Sequence, residues 1–340
     1  MKRICIVGAG AAALLLLYNL EKHKVDPTWI TIVDPTHSGG DLMKKWPKVR
    51  SNTTWSQIIL AVPSRNSFAT PWCNLHQNEP VELHFIIEYL QACVKDYMMK
   101  AQLRTDMVVS ATQENSLWKL MLAHGKQPLL ADVVFFCQGA EPKSLDLPFP
   151  SLPLDVALDP RRLSEYVKPG QHVLVFGTAH SGPLVVKNLV DLQVKVTNFF
   201  ATEKPFYFAR DGEYDGIKQD AEIIADNMLS NMYPNVTLES VHDISAIIRA
   251  TKTADICIYA CGFEPRVIQT EWKRYNGETG RIEGVTNAWG FGIAYPNKAA
   301  DTVHQGISGD GKPKVYWDVS VPAFQAHIEK QIPDILASLQ

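Results

Sequence analysis

The chain of 340 residues is poor in the features that mark several protein classes. It has six cysteines (Cys5, Cys73, Cys93, Cys137, Cys257 and Cys261), and none of them forms a C-x-x-C. Neither a zinc site nor a disulfide framework is therefore expected. Cys5, Cys137 and Cys257 lie in apolar runs, where cysteine behaves as a small hydrophobe. No stretch approaches the roughly 18 uninterrupted apolar residues that a membrane span needs. An excess of one charge is also missing. The formal net charge is −3, which points to neither nucleic acid nor a membrane surface as a partner. Ser-His-Asp, paired-carboxylate and metal-ligating constellations are absent from the pattern. Ser338-Leu339-Gln340 is not a peroxisomal address. These absences leave a cytoplasmic protein, too long for one core and expected to hold two domains.

What is present is concentrated at the start. Lys2-Arg3-Ile4-Cys5-Ile6-Val7 reads as a buried strand and runs into Gly8-Ala9-Gly10-Ala11-Ala12-Ala13. An apolar helix from Ala11 to Leu20 follows, then a strand from Trp29 to Val33 that ends on Asp34. This is the G-x-G-x-x-A form of the dinucleotide-binding fingerprint in its full strand-turn-helix-strand-acid context. Gly8 permits the tight turn and Gly10 lets the backbone approach a pyrophosphate. Ala13 lets the helix pack on the strand, and the helix N-terminus offers amide donors. Asp34 is placed to accept from a ribose hydroxyl. A basic start before an apolar run also suggests a secretory signal, but Gly8 and Gly10 interrupt the run and a second strand completes a βαβ unit.

The second half repeats the theme. His172–Phe176 is a strand entering Gly177-Thr178-Ala179-His180-Ser181-Gly182, with a helix from about Pro183 to Leu192 and a further strand over Val194–Phe200. The turn is G-x-A-x-x-G, in which Ala179 replaces the middle glycine. A small residue is tolerated there when a ligand sits slightly further out, and Thr178, His180 and Ser181 add side chains suited to phosphate. A βαβ unit that binds nothing has the same outline. The place of the ribose-binding acid is read as Asn198. The lack of an acid leaves NADPH open as well as NADH, with Lys204 and Arg210 the nearest cations for a 2′-phosphate. Two further segments match each other: Ala131–Pro142 and Ala254–Pro265 are each a strand ending in Gly-x-x-Pro, at Gly139 and Gly262. The chain is thus an internal duplication in outline.

That order resembles the two-dinucleotide-binding-domain flavoproteins, a group that includes glutathione-reductase-like enzymes and flavin-dependent monooxygenases. The resemblance implies an α/β fold with two Rossmann-like domains, three-layer ββα/βα in type, the NAD(P) domain inserted in the FAD domain. It implies FAD at the first fingerprint and NADPH or NADH at the second, with Gly139 and Gly262 in the links between domains. Ser38-Gly39-Gly40-Asp41-Leu42 and Trp46-Pro47-Lys48-Val49-Arg50-Ser51-Asn52-Thr53 look like the segment that wraps the flavin in N-hydroxylating and other flavin monooxygenases. Gly39, Gly40 and Arg50 then contact the cofactor, and Asn52 matches the Asn beside the reactive ring. A glycine-rich loop with a proline turn is the plainer account of that stretch. Glu79–Leu90 reads as an acid-started helix, with His84 structural.

Departures from the group narrow the reaction. The disulfide-reductase branch needs C-x-x-C or C-x4-C, and neither spacing occurs. The Phe-x-Gly-x-x-x-His signature of Baeyer–Villiger enzymes is also absent. The reductases' C-terminal Gly-Asp is replaced by Trp289-Gly290-Phe291-Gly292-Ile293-Ala294-Tyr295-Pro296, where backbone amides around Gly290 and Gly292 remain to meet a flavin. The resemblance therefore implies an NAD(P)H-reduced, FAD-dependent oxidoreductase of monooxygenase type, acting on a small molecule through a C4a-hydroperoxyflavin. A flavoprotein reductase without dithiol chemistry and a degenerate nucleotide sensor are the alternatives. A homo-oligomer is left open. The expected boundaries are 1–155 and 269–340 for the FAD domain and 156–268 for the NAD(P) domain. Asn52–Cys73 and Phe199–Gly216 are the expected substrate walls. A terminal helix over Val321–Gln340 carries Phe324, Ile328 and Ile332 on one face.

Overall fold

The computed structural model describes residues 2–64, 75–145, 147–202, 205–206, 209–210, 213–214, 220–271, 274–299 and 316–340. Of the expected substrate walls, residues 65–73, 203–204, 207–208, 211–212 and 215–216 lie outside these residues, Cys73 and Lys204 among them. The chain divides into two compact units. The first comprises Met1–Lys44, Thr54–Ala140 and Pro265–Gln340; the second comprises Lys45–Thr53 and Glu141–Glu264.

The first unit is built on a five-stranded parallel sheet. Its centre is β1 (Ile4–Val7), flanked by β2 (Ile30–Val33) and β3 (Val133–Phe136), with Gln102–Arg104 and Ala288–Gly290 at the edges. All four residues of β1 and of β3 are buried, as expected for parallel strands covered on both faces. Alternation sorts them. Ile4, Ile6, Val133 and Phe135 face a core shared with α1 (Ala11–Lys22), the helix Leu83–Met98 and the C-terminal helix Val321–Ser338. Cys5, Val7, Val134 and Phe136 face a core with Trp118, Leu120 and Leu122 of a second, largely antiparallel sheet over Val108–Ala131. Residues Ala11 to Leu20 of α1 are all buried, because a helix that is apolar all round must be covered all round. Phe324, Ile328 and Ile332 of the C-terminal helix join the same core.

The helix expected from Glu79 starts later than the sequence suggests. Pro80–Glu82 is a short strand, and the helix begins at Leu83. The segment is drawn out because Trp55 N–H donates to Glu79 O and Ser56 N–H donates to Gln77 O.

The second unit repeats the parallel arrangement. β4 (His172–Phe176) lies between β5 (Lys195–Phe200) and β6 (Ile256–Tyr259), with Ser151–Leu152 and Val236–Ser240 outside them. The third-first-second order of the central strands is therefore the same in both units. Phe176 stacks on Phe199 and Tyr259 at 5.0 and 5.5 Å between ring centroids. Ala246 and Ala250 of the helix Ile244–Thr251 cover that face. Helix α2 (Ser181–Asp191) packs on β4 and β5 and buries Val185, Val186 and Leu189.

A buried histidine in the first unit has a measurable consequence. His327, on the C-terminal helix, is 4% exposed and meets Phe291 edge-on. Burial, with Lys330 nearby, lowers its pKa to about 4. Its unfolded value is higher, so the unfolded chain binds the proton first as pH falls. The contribution is whole above pH of about 6.5 and is lost between there and about 4. Thermal unfolding is expected to move several degrees lower across that window. His327→Gln should flatten the slope in a pH series of melting curves.

Candidate functional site

In each unit a glycine begins the turn after the first strand because nothing larger fits. Gly8 has φ +100°, and a Cβ there would overlap the carbonyl oxygen of Cys137; Gly177 has φ +113°, and its Cβ would overlap that of Ala260. The same bonds frame both turns. Gly8 N–H donates to Val33 O and Gly177 N–H to Phe199 O, each at 2.8 Å. Cys137 N–H donates to Val7 O and Ala260 N–H to Phe176 O, at 2.8 and 2.7 Å. The duplication legible in the sequence is thus a duplication of backbone geometry.

In the first unit the turn feeds α1, whose N-cap is Gly10. No side chain caps that end and no acid stands in its first turn, so its amide dipoles face outward toward an anion. Gly10 forms a bridge with Gly39, and a Cβ on Gly40 would lie 3.0 Å from Gly10 Cα. Ala13 is fully buried. The Gly39-Gly40 segment is thus held against the fingerprint. Gly292, at φ +87°, comes up to the same helix: its Cβ would lie 2.8 Å from that of Ala12. The N–H groups of Gly292, Ile293 and Ala294 have no partner among the described residues. Gly290 has a different part. Its N–H donates to Gly280 O, and the ring of Tyr295 covers the place of a side chain.

Asp34 is almost buried. One oxygen accepts from Ala9 N–H at 2.9 Å, and the other from Thr36 and His37 N–H at 2.9 and 2.7 Å. Burial alone would push its carboxyl up, but the three amides outweigh it and hold the group below the usual carboxylate range. The oxygen bonded to Ala9 takes that one described bond and keeps capacity for a hydroxyl donor. Beside it, both ring nitrogens of His37 are buried without a hydrogen-bond partner among the described residues. The glycine cradle, the open helix end, the spare amides and these orphaned nitrogens fit an adenine dinucleotide. Gly8, Gly10, Asp34, Gly39, Gly40 and Gly292 meet around this turn and the start of α1.

In the second unit, Thr178 is buried, and Ala179 and His180 lead into α2 at Ser181. The helix end again lacks a side-chain cap and a first-turn acid. Gly182 is dictated by packing, since a Cβ there would overlap Gly177 O. Strand register corrects the reading of Asn198. Val7 pairs with Val33 ahead of Asp34, and Phe176 pairs with Phe199 ahead of Phe200. The position matching Asp34 is therefore Phe200, and still no acid stands there. Asn198 lies two residues inside the strand, fully buried, and donates through Nδ2 to Val175 O and Gly177 O at 3.0 and 2.9 Å. Arg210 lies in the short strand Ala209–Arg210.

Asn52 and Arg50 belong to the second unit. Arg50 is ion-paired with Asp220 at 2.7 Å. Asn52 Oδ1 accepts from Thr53 Oγ1 at 3.0 Å, while its Nδ2 has no partner among the described residues. Gly139 and Gly262 share a reciprocal arrangement that sequence reading missed. Gly139 O accepts Arg266 N–H at 3.2 Å, and Gly262 O accepts Lys143 N–H at 2.9 Å. Each donor stands four residues after the other unit's glycine.

Comparison with known proteins agrees with this geometry. Residues 5–141 match a family model described as FAD-NAD(P)-binding. The monooxygenase AgnR1 of Paecilomyces divaricatus is 26% identical over 215 residues, covering 55% of this chain and 54% of that protein. The chain thus spans about half the length of this curated relative. Among solved structures, a flavin monooxygenase from Stenotrophomonas maltophilia superimposes with a TM-score of 0.65 at 13% identity, covering 100% of this chain and 99% of that one. The bacillithiol disulfide reductase Bdr of Staphylococcus aureus gives 0.62 at 11%, with 100% and 99% coverage. A cyclohexanone monooxygenase mutant from Rhodococcus, bound to NADP+, gives 0.60 at 13%, with 100% and 86% coverage. The chain has the two-dinucleotide-binding-domain fold of the flavoproteins. No helix among its described residues is long and apolar enough to cross a membrane.

Asn198 offers a test of the second turn. Asn198→Asp removes both donor bonds and sets a charge against two carbonyl oxygens in a fully buried place. A loss of about 3 kcal/mol in stability is expected, read from denaturant unfolding. Asn198→Ala should lose less, because it adds no repulsion.

Proposed function

We propose that the protein is an FAD-dependent oxidoreductase reduced by NADPH or NADH, of monooxygenase type, acting on a small molecule. The observation that carries this reading is the paired geometry: two glycine turns of the same build, each opening an uncapped helix N-terminus on its own parallel sheet. Two dinucleotides are what such a pair accommodates. FAD is assigned to the first turn, where Asp34 and the Gly39-Gly40 segment complete the cradle. The nicotinamide nucleotide is assigned to the second, where no acid opposes a 2′-phosphate. The monooxygenase relative and the flavin monooxygenase fold support the reaction type.

Bound flavin supplies hydride acceptance and oxygen chemistry; the chain's own groups bind, orient and exclude water. Asn52 offers an unspent amide donor for a polar atom of the reacting species. Four of the thiols are poorly suited to take part. Cys5 and Cys137 are buried, and burial raises both; it raises Cys257 and Cys261 as well. The likeness to a bacillithiol disulfide reductase favours a second reading, a flavoprotein reductase without dithiol chemistry.

An absorbance spectrum recorded before and after anaerobic NADPH tests the main proposal. Flavin bands that bleach with NADPH are expected, and protein that stays colourless after incubation with FAD would sink it. Product carrying one oxygen from labelled O2 separates monooxygenation from plain reduction. Asn52→Ala should keep the flavin bands and lower kcat by roughly tenfold or more.

A further inference from the structure

One charged cluster in the first unit has no part in the fingerprint as read from the sequence. The guanidinium of Arg266 forms an ion pair with Asp41, the residue directly after Gly39-Gly40. Its other amino group, Nη1, donates to Gln138 O at 3.0 Å, and its backbone N–H donates to Gly139 O. The two charged side chains are 32% and 22% exposed, so solvent screens this pair less than an open surface bridge. A single arginine thus joins the Gly-Gly segment to the turn after β3. Both lie against the fingerprint: Gly39 and Gly40 touch Gly10, and Cys137 and Gln138 close over Gly8. On the far side, Gln138 Nε2 donates to Tyr295 OH at 2.9 Å, and Tyr295 N–H donates to Gly292 O. The contacts therefore continue to the loop that carries the spare amides.

We infer that Arg266 is a positioning residue for the first nucleotide. Its fork to Asp41 and Gln138 fixes the spacing of the two backbone segments that lie against the fingerprint, and so sets FAD affinity. The inference rests on the FAD assignment above. Charge alone does not do this work: a planar fork reaching two acceptors in different segments is a property of arginine that lysine lacks.

The test is FAD titration of flavin-stripped protein by flavin fluorescence, with NADPH binding to the same samples as an internal control. Arg266→Gln and Asp41→Asn should each weaken FAD binding by roughly tenfold to a hundredfold. The double variant should be little worse than either single one, since both remove one interaction. Arg266→Lys, the mildest change, should fall between wild type and Arg266→Gln. NADPH affinity should stay within about twofold throughout. Variants that melt earlier yet bind FAD like wild type would overturn the inference, because a merely structural pair moves Tm and not Kd. So would equal loss of FAD and NADPH binding. Wild-type protein that takes up no FAD would instead remove the reading on which the inference stands, and with it the inference.

Discussion

Two carbonyl oxygens, those of Cys137 and Ala260, occupy the space that a side chain at positions 8 and 177 would need. Each is drawn in by the strand beside it, whose next amide is bonded to the last residue of β1 or β4. With the carbonyl there, only glycine at positive φ lets the chain turn. The turn then sets where the helix starts and where its free amides point. What pins the turn from the other side differs between the units. Asp34 accepts from Ala9 N–H in the first, while Asn198 donates to Gly177 O in the second. One turn is held through its donors and the other through its acceptors, so the acid and the amide are not interchangeable parts.

Much of this was readable from local pattern. The fingerprint, Asp34, the second glycine turn and the repeated Gly-x-x-Pro each occupy a few consecutive residues, and local rules govern them. Gly182 is fixed instead by packing, since its Cβ would overlap Gly177 O. Asn198 was misplaced because the position of a ribose-binding residue is set by strand register, which a strand predicted to run to Phe200 does not reveal. The parts of Gly290 and Gly292 separate only once Tyr295 is seen to fold back over the first. The pairing of Arg266 with Asp41 spans 225 residues, and no periodicity or spacing announces such a contact. The helix after Pro80 begins late because Glu79 and, just before it, Gln77 accept from Trp55 and Ser56 N–H, again a tertiary cause.

The two units spend their remaining residues differently. In the first, an antiparallel sheet and three helices bury both faces of the parallel sheet, and several of the polar groups left inside, His327, Asn19, Gln325 and Gln331, lie on or beside the C-terminal helix. In the second, helices cover the sheet. His172 is buried between Thr197 and Thr253 at the end of β4 remote from the glycine turn, where its hydrogen bonds are met by hydroxyls. The buried imidazoles of His172 and His327 thus sit away from the glycine turns and serve the framework.

The reciprocal bonds at Gly139 and Gly262 bear on how such a chain was assembled. Where the first unit is left after Ala140 and re-entered at Pro265, Gly139 O and Arg266 N lie only 3.2 Å apart. The first unit therefore presents its exit and its re-entry side by side, as a host does for a cassette. An insert so mounted need only bring its own two ends together, which the matching bond between Lys143 and Gly262 does. Exchange of one such segment for another, by recombination or by design, then leaves the bond between Arg266 and Gly139 within the first unit.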